Sequence, residues 1–286
     1  MPRRLRAGGP YSAYVPDDLI GRTFTLAGQV AADVADAERA VARLDAHATA
    51  LTNTEALARL LLRAEAVASS HIEGLSVSPQ RLLRVSADLA DGLAVSDTAA
   101  IDVLANVDAL DYALEDPAGH ISVDRILEVH RRLLAHSRAA AHAGLIRTEQ
   151  NWIGGNDYSP IGAAFVPPPP EDVRRLLTDL CAFCNEDSLP AVVQAALAHA
   201  QFETIHPFAD GNGRTGRALI YMVLRRRGLA LRATPPISLI LATRSKDYIA
   251  LLDGTRYTGR ADSTERERGA QPMDRILRDG LHPSCR

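Results

Sequence analysis

Lysine is almost absent from this chain of 286 residues: Lys246 is the only one, and the other basic residues are arginines. The formal net charge is −3, so there is no global positive field to hold a nucleic-acid backbone or an anionic membrane. Any phosphate chemistry must come from a local site. The three cysteines, Cys181, Cys184 and Cys285, are too few for a disulfide framework, and a reducing, cytoplasmic setting is the natural expectation. No stretch reaches the roughly 18 uninterrupted apolar residues of a membrane helix. The basic start MPRRLR has no apolar core behind it, so no secretory signal is expected. No solenoid repeat and no Gly-Lys-Ser/Thr phosphate loop occur.

Hydrophobic residues make up 47% of the chain and charged residues 23%, the balance of a folded globular protein. Apolar residues recur every three or four positions through most of it. Helices are predicted over Leu26–Leu51, from a cap at Asn53 or Thr54 to Ser70, and over Pro79–Ala90, Asp97–Leu114 and Val123–Leu134, the last capped by Ser122. More are predicted over Glu171–Asn185, Pro190–Glu203, Gly213–Arg227 and Arg244–Asp253, the last capped by Thr243. Gly74 and Gly228 read as helix stops. The turn-rich stretch 147–170 breaks the pattern, with a short strand predicted at Ile161–Val166. The expected layout is an N-terminal arm and helical region over 1–95, a helical core over 96–259 and a disordered tail over 260–286.

Cys181-Ala-Phe-Cys184 has redox or zinc spacing but lies in an apolar helical pattern without a second ligand pair, so two core thiols are expected. The chemistry concentrates in His206-Pro-Phe-Ala-Asp-Gly-Asn-Gly-Arg-Thr-Gly-Arg217. Gly211 and Gly213 bracket Asn212 just before a helical pattern, so free backbone amides and a helix N-terminus converge where an anion could sit. Arg214 and Arg217, three apart, add two guanidinium forks suited to a polyphosphate. Asp210 beside this cationic cradle makes sense if it helps hold Mg²⁺ between phosphates. His206 can take a proton from an attacking hydroxyl. Phe208 is the expected apolar pin of the loop. His130, His136 and His199 have no ligand spacing and read as structural, and Trp152 and Tyr158 as flap anchors.

This stretch resembles the Fic signature, H-x-F-x-D/E-G-N-G-R-x-x-R, at every specified position. The resemblance implies an all-α Fic-type core with a short β-hairpin flap, and transfer of AMP from Mg·ATP to a Ser, Thr or Tyr hydroxyl of a target protein. His206 would be the base, Asp210 the metal ligand, and Gly211, Asn212, Gly213, Arg214 and Arg217 the nucleotide cradle. Ile161, Gly162, Ala163, Ala164 and Phe165 would form the flap that docks the target. Ser69-Ser70-His71-Ile72-Glu73-Gly74 resembles the inhibitory motif of self-inhibited members, in which the glutamate, here Glu73, pairs with the second signature arginine, here Arg217, and Ser69 braces it. The resemblance fails after Tyr257. Removal of AMP dependent on Glu73 and a non-enzymatic nucleotide-binding regulatory or toxin–antitoxin role are the alternatives. A homodimer is a possible assembly, and no nucleic-acid or membrane partner is expected.

Overall fold

The structure, a computed structural model, describes residues 9–49, 54–116 and 119–256. The expected tail over 260–286 and the cap at Asn53 lie outside the described residues. Among the described residues ten α-helices follow an extended arm: α1 (Gly28–Thr49), α2 (Thr54–Ile72), α3 (Pro79–Ala90), α4 (Thr98–Glu115), α5 (Val123–Leu134), α6 (Pro170–Cys184), α7 (Ala191–Ile205), α8 (Asn212–Arg226), α9 (Ile237–Thr243) and α10 (Ser245–Thr255). The boundaries follow local chemistry. Ser78, Asp97 and Ser122 each accept a hydrogen bond from the amide three residues on, capping α3, α4 and α5. Gly74 and Gly228, with φ of +82° and +78°, end α2 and α8 as glycines can. Pro190 sits at the N-cap of α7, one position before the first turn.

Every residue of α7 is buried, because its sequence AVVQAALAHAQFETI is apolar nearly all round and has no face to give to water. It packs most heavily on α8, whose buried run Ala218–Leu224 forms the other half of the core. The central helices therefore meet at the turn between them, His206–Gly211. A smaller apolar cluster of Val77, Leu82, Val85, Ala100 and Val103 joins α3 to α4.

Two expectations need correction. The region 237–255 holds two helices, α9 and then α10, where one was expected over Arg244–Asp253. Thr243 does not cap the second but closes the first, its hydroxyl donating to the Ile240 carbonyl. α9 is too short to show periodicity, and its start is capped from far away: both Glu65 carboxylate oxygens accept from the Ser238 amide at 3.2 and 3.0 Å. Burial pushes the Glu65 pKa up to about 7. The other correction concerns the flap. Ile161–Val166 forms no strand and the flap no hairpin ladder. Only isolated antiparallel bridges, Ile153 with Phe165 and Asn156 with Ser159, close it. Gly154, Gly155 and Gly162 adopt φ of +74°, +78° and +80°, and Pro160 and Pro167–Pro170 interrupt the pattern further, so no continuous ladder can form.

Candidate active site

His206 ends α7 in the left-handed region, at φ 49° and ψ 61°, an uncommon conformation for a residue with a side chain. Its surroundings impose it. The His206 amide donates to the Phe202 carbonyl at 2.9 Å. Its own carbonyl accepts from Arg147 Nε at 2.9 Å and Asn151 Nδ2 at 3.3 Å. The backbone is thus held from outside, and the imidazole carries none of the loop's weight. Its Nδ1 is sealed from solvent without a hydrogen-bond partner. Burial pulls the His206 pKa down to about 4; the Glu203 carbonyl opposes this, while Arg147 and Arg256 add to it. At neutral pH the ring is uncharged and able to accept a proton.

The loop after His206 is built as a rigid hook. Phe208 is fully buried and stacks on His130, ring centroids 3.6 Å apart and planes within 4°. Asn212 accepts from the Phe208 amide at 2.9 Å and donates to the Phe208 carbonyl at 2.8 Å. Both ends of the Asn212 side chain are therefore spent on the loop, which departs from its expected role on the phosphates. Gly144 donates its amide to His130 Nδ1 at 3.0 Å, so the proton sits on Nε2, which donates to the Asp210 carbonyl at 2.9 Å. Gly211, at φ +76°, then turns the chain into α8.

The first turn of α8 presents the charges. Arg214 is 6% exposed, yet its Nε and Nη1 have no partner, and its closest carboxylate oxygen, Asp210 Oδ1, lies 3.9 Å away. A buried guanidinium left this incomplete is matched by an anionic ligand. Asp210 keeps its carboxylate half exposed beside it. No group of three or more His, Cys, Asp or Glu residues that could hold a metal occurs among the described residues. Asp210 is a carboxylate of the kind that would serve as a single protein ligand to Mg²⁺.

Arg217 is 2% exposed and fully engaged. Its Nε donates to Ser69 Oγ, and its Nη2 to the Ser69 carbonyl and to Glu73 Oε1, each at 2.8 Å. Glu73 thus reaches from the end of α2 onto the first turn of α8. A Cβ placed on Gly213 would lie 2.1 Å from Glu73 Oε1, so glycine is what admits the carboxylate there. Asn106 braces this end of α2 by donating to the Ala66 carbonyl at 2.9 Å and to Ser70 Oγ at 3.1 Å.

Two family models match the chain: that of the Fic/DOC family over residues 120–224, and that of the Fic/DOC family N-terminal region over residues 31–115. The chain belongs to the Fic/DOC family. A protein named protein adenylyltransferase fic-1 from Caenorhabditis briggsae is 38% identical over 134 residues, 46% of this chain and 24% of the relative. One named protein adenylyltransferase Fic from Drosophila willistoni is 33% identical over 224 residues, 74% of this chain and 42% of the relative. The chain thus spans less than half the length of these curated relatives. A solved Fic family protein from Desulfovibrio desulfuricans shares the fold, with a TM-score of 0.67 at 24% identity, over 90% of this chain and 74% of that one. Fic-1 from C. elegans superposes with a TM-score of 0.60 at 26% identity, over 87% and 72%.

In this Fic protein the folding gathers His206, Asp210, Gly211, Asn212, Gly213, Arg214 and Arg217 at one place, and brings Ser69 and Glu73 onto them. The flap residues Ile161–Phe165 reach the same region through Phe165, whose ring lies under the Arg256 guanidinium, 3.6 Å from its centroid. His130 is structural, as expected, and sequence reasoning missed Arg147, Asn151 and Arg256. Arg147 and Asn151 lie in the turn-rich stretch 147–170, which carries no local signal of this bracing. His199 is packed as expected, bonded through Nε2 to the Tyr248 hydroxyl at 2.8 Å. Burial pulls His199 down to about 3 and pushes its neighbour Glu203 up to about 7. Cys181 and Cys184 are buried free thiols, the first pushed up to about 12 by burial and unreactive for that reason.

Proposed function

We propose that this chain is a protein adenylyltransferase that moves AMP from Mg·ATP to a Ser, Thr or Tyr hydroxyl of a protein target, and that Glu73 holds it in a low-activity state. The observation that carries this reading is the incomplete Arg214 on the first turn of α8, beside Asp210 and eight residues beyond an uncharged His206. In the reaction, His206 takes the proton from the target hydroxyl, whose oxygen attacks the α-phosphorus. The bond from that phosphorus to the β-phosphate bridging oxygen breaks, and pyrophosphate leaves. Mg²⁺ would neutralise charge on the phosphates, with Asp210 as its protein ligand. Arg214 and the amides around Gly211 and Gly213 would steady the phosphate tail. Glu73 occupies the fork of Arg217 that an ATP γ-phosphate would otherwise use, so bound ATP is displaced from a productive pose. The name shared by the matched relatives supports AMP as the transferred group.

The direct test uses ATP labelled at either end. With Mg²⁺, label placed on the α-phosphate is expected to become protein-bound and label on the γ-phosphate is not. Transfer of the γ-label would replace this reading with phosphorylation. The pH profile is a second check. Because the neutral form of His206 is the base and its pKa is near 4, the rate is expected to stay level from pH 8 down to about pH 5 and to fall below that. An unperturbed imidazole would lose half its rate near pH 6.5, and an inflection there would remove His206 from the role.

A further inference from the structure

Residues 9–27 carry no helix, yet they are not loose along their whole length. Leu19 is buried, and its amide donates to Asp179 Oδ2 at 2.6 Å. Gln201 donates to the Asp17 carbonyl at 2.8 Å, and Asp18 pairs with Arg175. The arm is therefore fastened to α6 and α7 at residues 17–20. Upstream of this anchor it lies along the flap. The Tyr14 amide donates to the Val166 carbonyl at 2.9 Å, and the Tyr14 and Phe165 rings meet at 6.0 Å and 52°. At the flap's far end Gly9 is pressed on Ile161, where a Cβ would come within 3.1 Å of Cδ1. Gly9 to Tyr14 and Ile161 to Val166 cover equal lengths of chain, so the two segments run side by side in the same direction.

We infer that Gly9–Tyr14 is an internal occupant of the flap edge, filling the place where an extended segment of a protein target docks. The inference rests on the reading that the flap receives targets, and it deepens that reading in two ways. A target must displace the arm. It must also offer what the arm offers: a small residue against Ile161 and an aromatic residue five positions later against Phe165. Displacement is within reach because the bonds seen at Tyr14 are individually weak. One backbone hydrogen bond contributes about 0.5–1.5 kcal/mol net and one aromatic contact a similar amount. Tyr11 and Val15 remain 47% exposed. The tether at residues 17–20 compensates by keeping the segment at an effective concentration of order millimolar, so a weakly binding target is excluded and a good one is admitted along the flap edge.

Trp152, the only tryptophan, is a built-in reporter, since its Nε1 donates to the Asn156 carbonyl inside the flap. The experiment titrates the peptide Gly-Pro-Tyr-Ser-Ala-Tyr-Val-Pro, without nucleotide, into the full chain and into its Tyr14→Pro and Tyr14→Ala variants, reading Trp152 emission. Tyr14→Pro removes both the donor and the ring, and Tyr14→Ala the ring alone. Half-saturation is expected at a peptide concentration at least about tenfold lower for Tyr14→Pro than for the unaltered chain, with Tyr14→Ala between them. A peptide with both tyrosines replaced by alanine is expected not to bind. Identical curves for all three proteins, no response in any, or equal binding of the alanine peptide would overturn the inference. Because no nucleotide is present, this outcome is independent of whether AMP is transferred.

Discussion

Replacement of Glu73 by glycine is expected to raise AMP transfer about ten- to a hundredfold. On the proposed reading, the charge-assisted bond from Arg217 Nη2 to Glu73 Oε1 is the contact a γ-phosphate would have to break. A hydrogen bond to a charged group contributes about 1.5–3 kcal/mol, and each 1.36 kcal/mol is a factor of ten in rate. The substitution is structurally mild. Glu73 lies just past the last residue of α2, and Arg217 keeps its bonds to the Ser69 hydroxyl and carbonyl, so no buried charge is stranded. Glu73→Gln, which keeps the shape and removes the charge, should fall between the two. The measurement is protein-bound label from α-labelled ATP, and equal labelling by the wild type and Glu73→Gly would overturn the inhibitory role.

His206→Ala in the Glu73→Gly background is expected to lower the transfer rate by about a hundred- to ten-thousandfold, the range a positioned general base supplies. This substitution separates chemistry from structure unusually well. The loop is held through the His206 carbonyl, by Asn212 on Phe208 and by the His130 stack, while the imidazole Nδ1 bonds to nothing. Calorimetry should therefore find ATP binding preserved within about threefold while transfer is lost. Loss of binding together with transfer would mean that the ring shapes the cradle instead of accepting the proton.

Much of this site is legible in the sequence because its parts are contiguous. The residues from His206 to Arg217 span one helix end, one turn and one helix start, so local geometry alone carries them to the same place. The helix cap at Ser122 and the stops at Gly74 and Gly228 are legible for the same reason. What escapes is what the chain assembles over distance. Glu65 caps α9 from 173 residues away, and no local pattern announces such a partner. His130, Arg147 and Asn151 brace the loop through tertiary hydrogen bonds from other elements. The flap misleads in the opposite direction: Ile161–Val166 has the composition of a strand, but Gly162 at positive φ and the prolines on either side deny it a ladder. Asn212 shows a subtler limit, since its residue type suits a phosphate as well as it suits the Phe208 backbone.

The Glu65 cap also fixes how far the contact between Glu73 and Arg217 can travel. Glu65 and Glu73 sit on or just beyond the same helix, eight residues apart, and Glu65 is buried with both oxygens bound to the start of α9. The near end of α2 is thereby clamped like the fixed end of a short cantilever, and Asn106 clips it again at Ala66 and Ser70. Only the overhang past Ser70 is left to bend. On the proposed reading, relief of inhibition would then be a matter of one side chain and less than one helical turn, with the rest of the helix standing still.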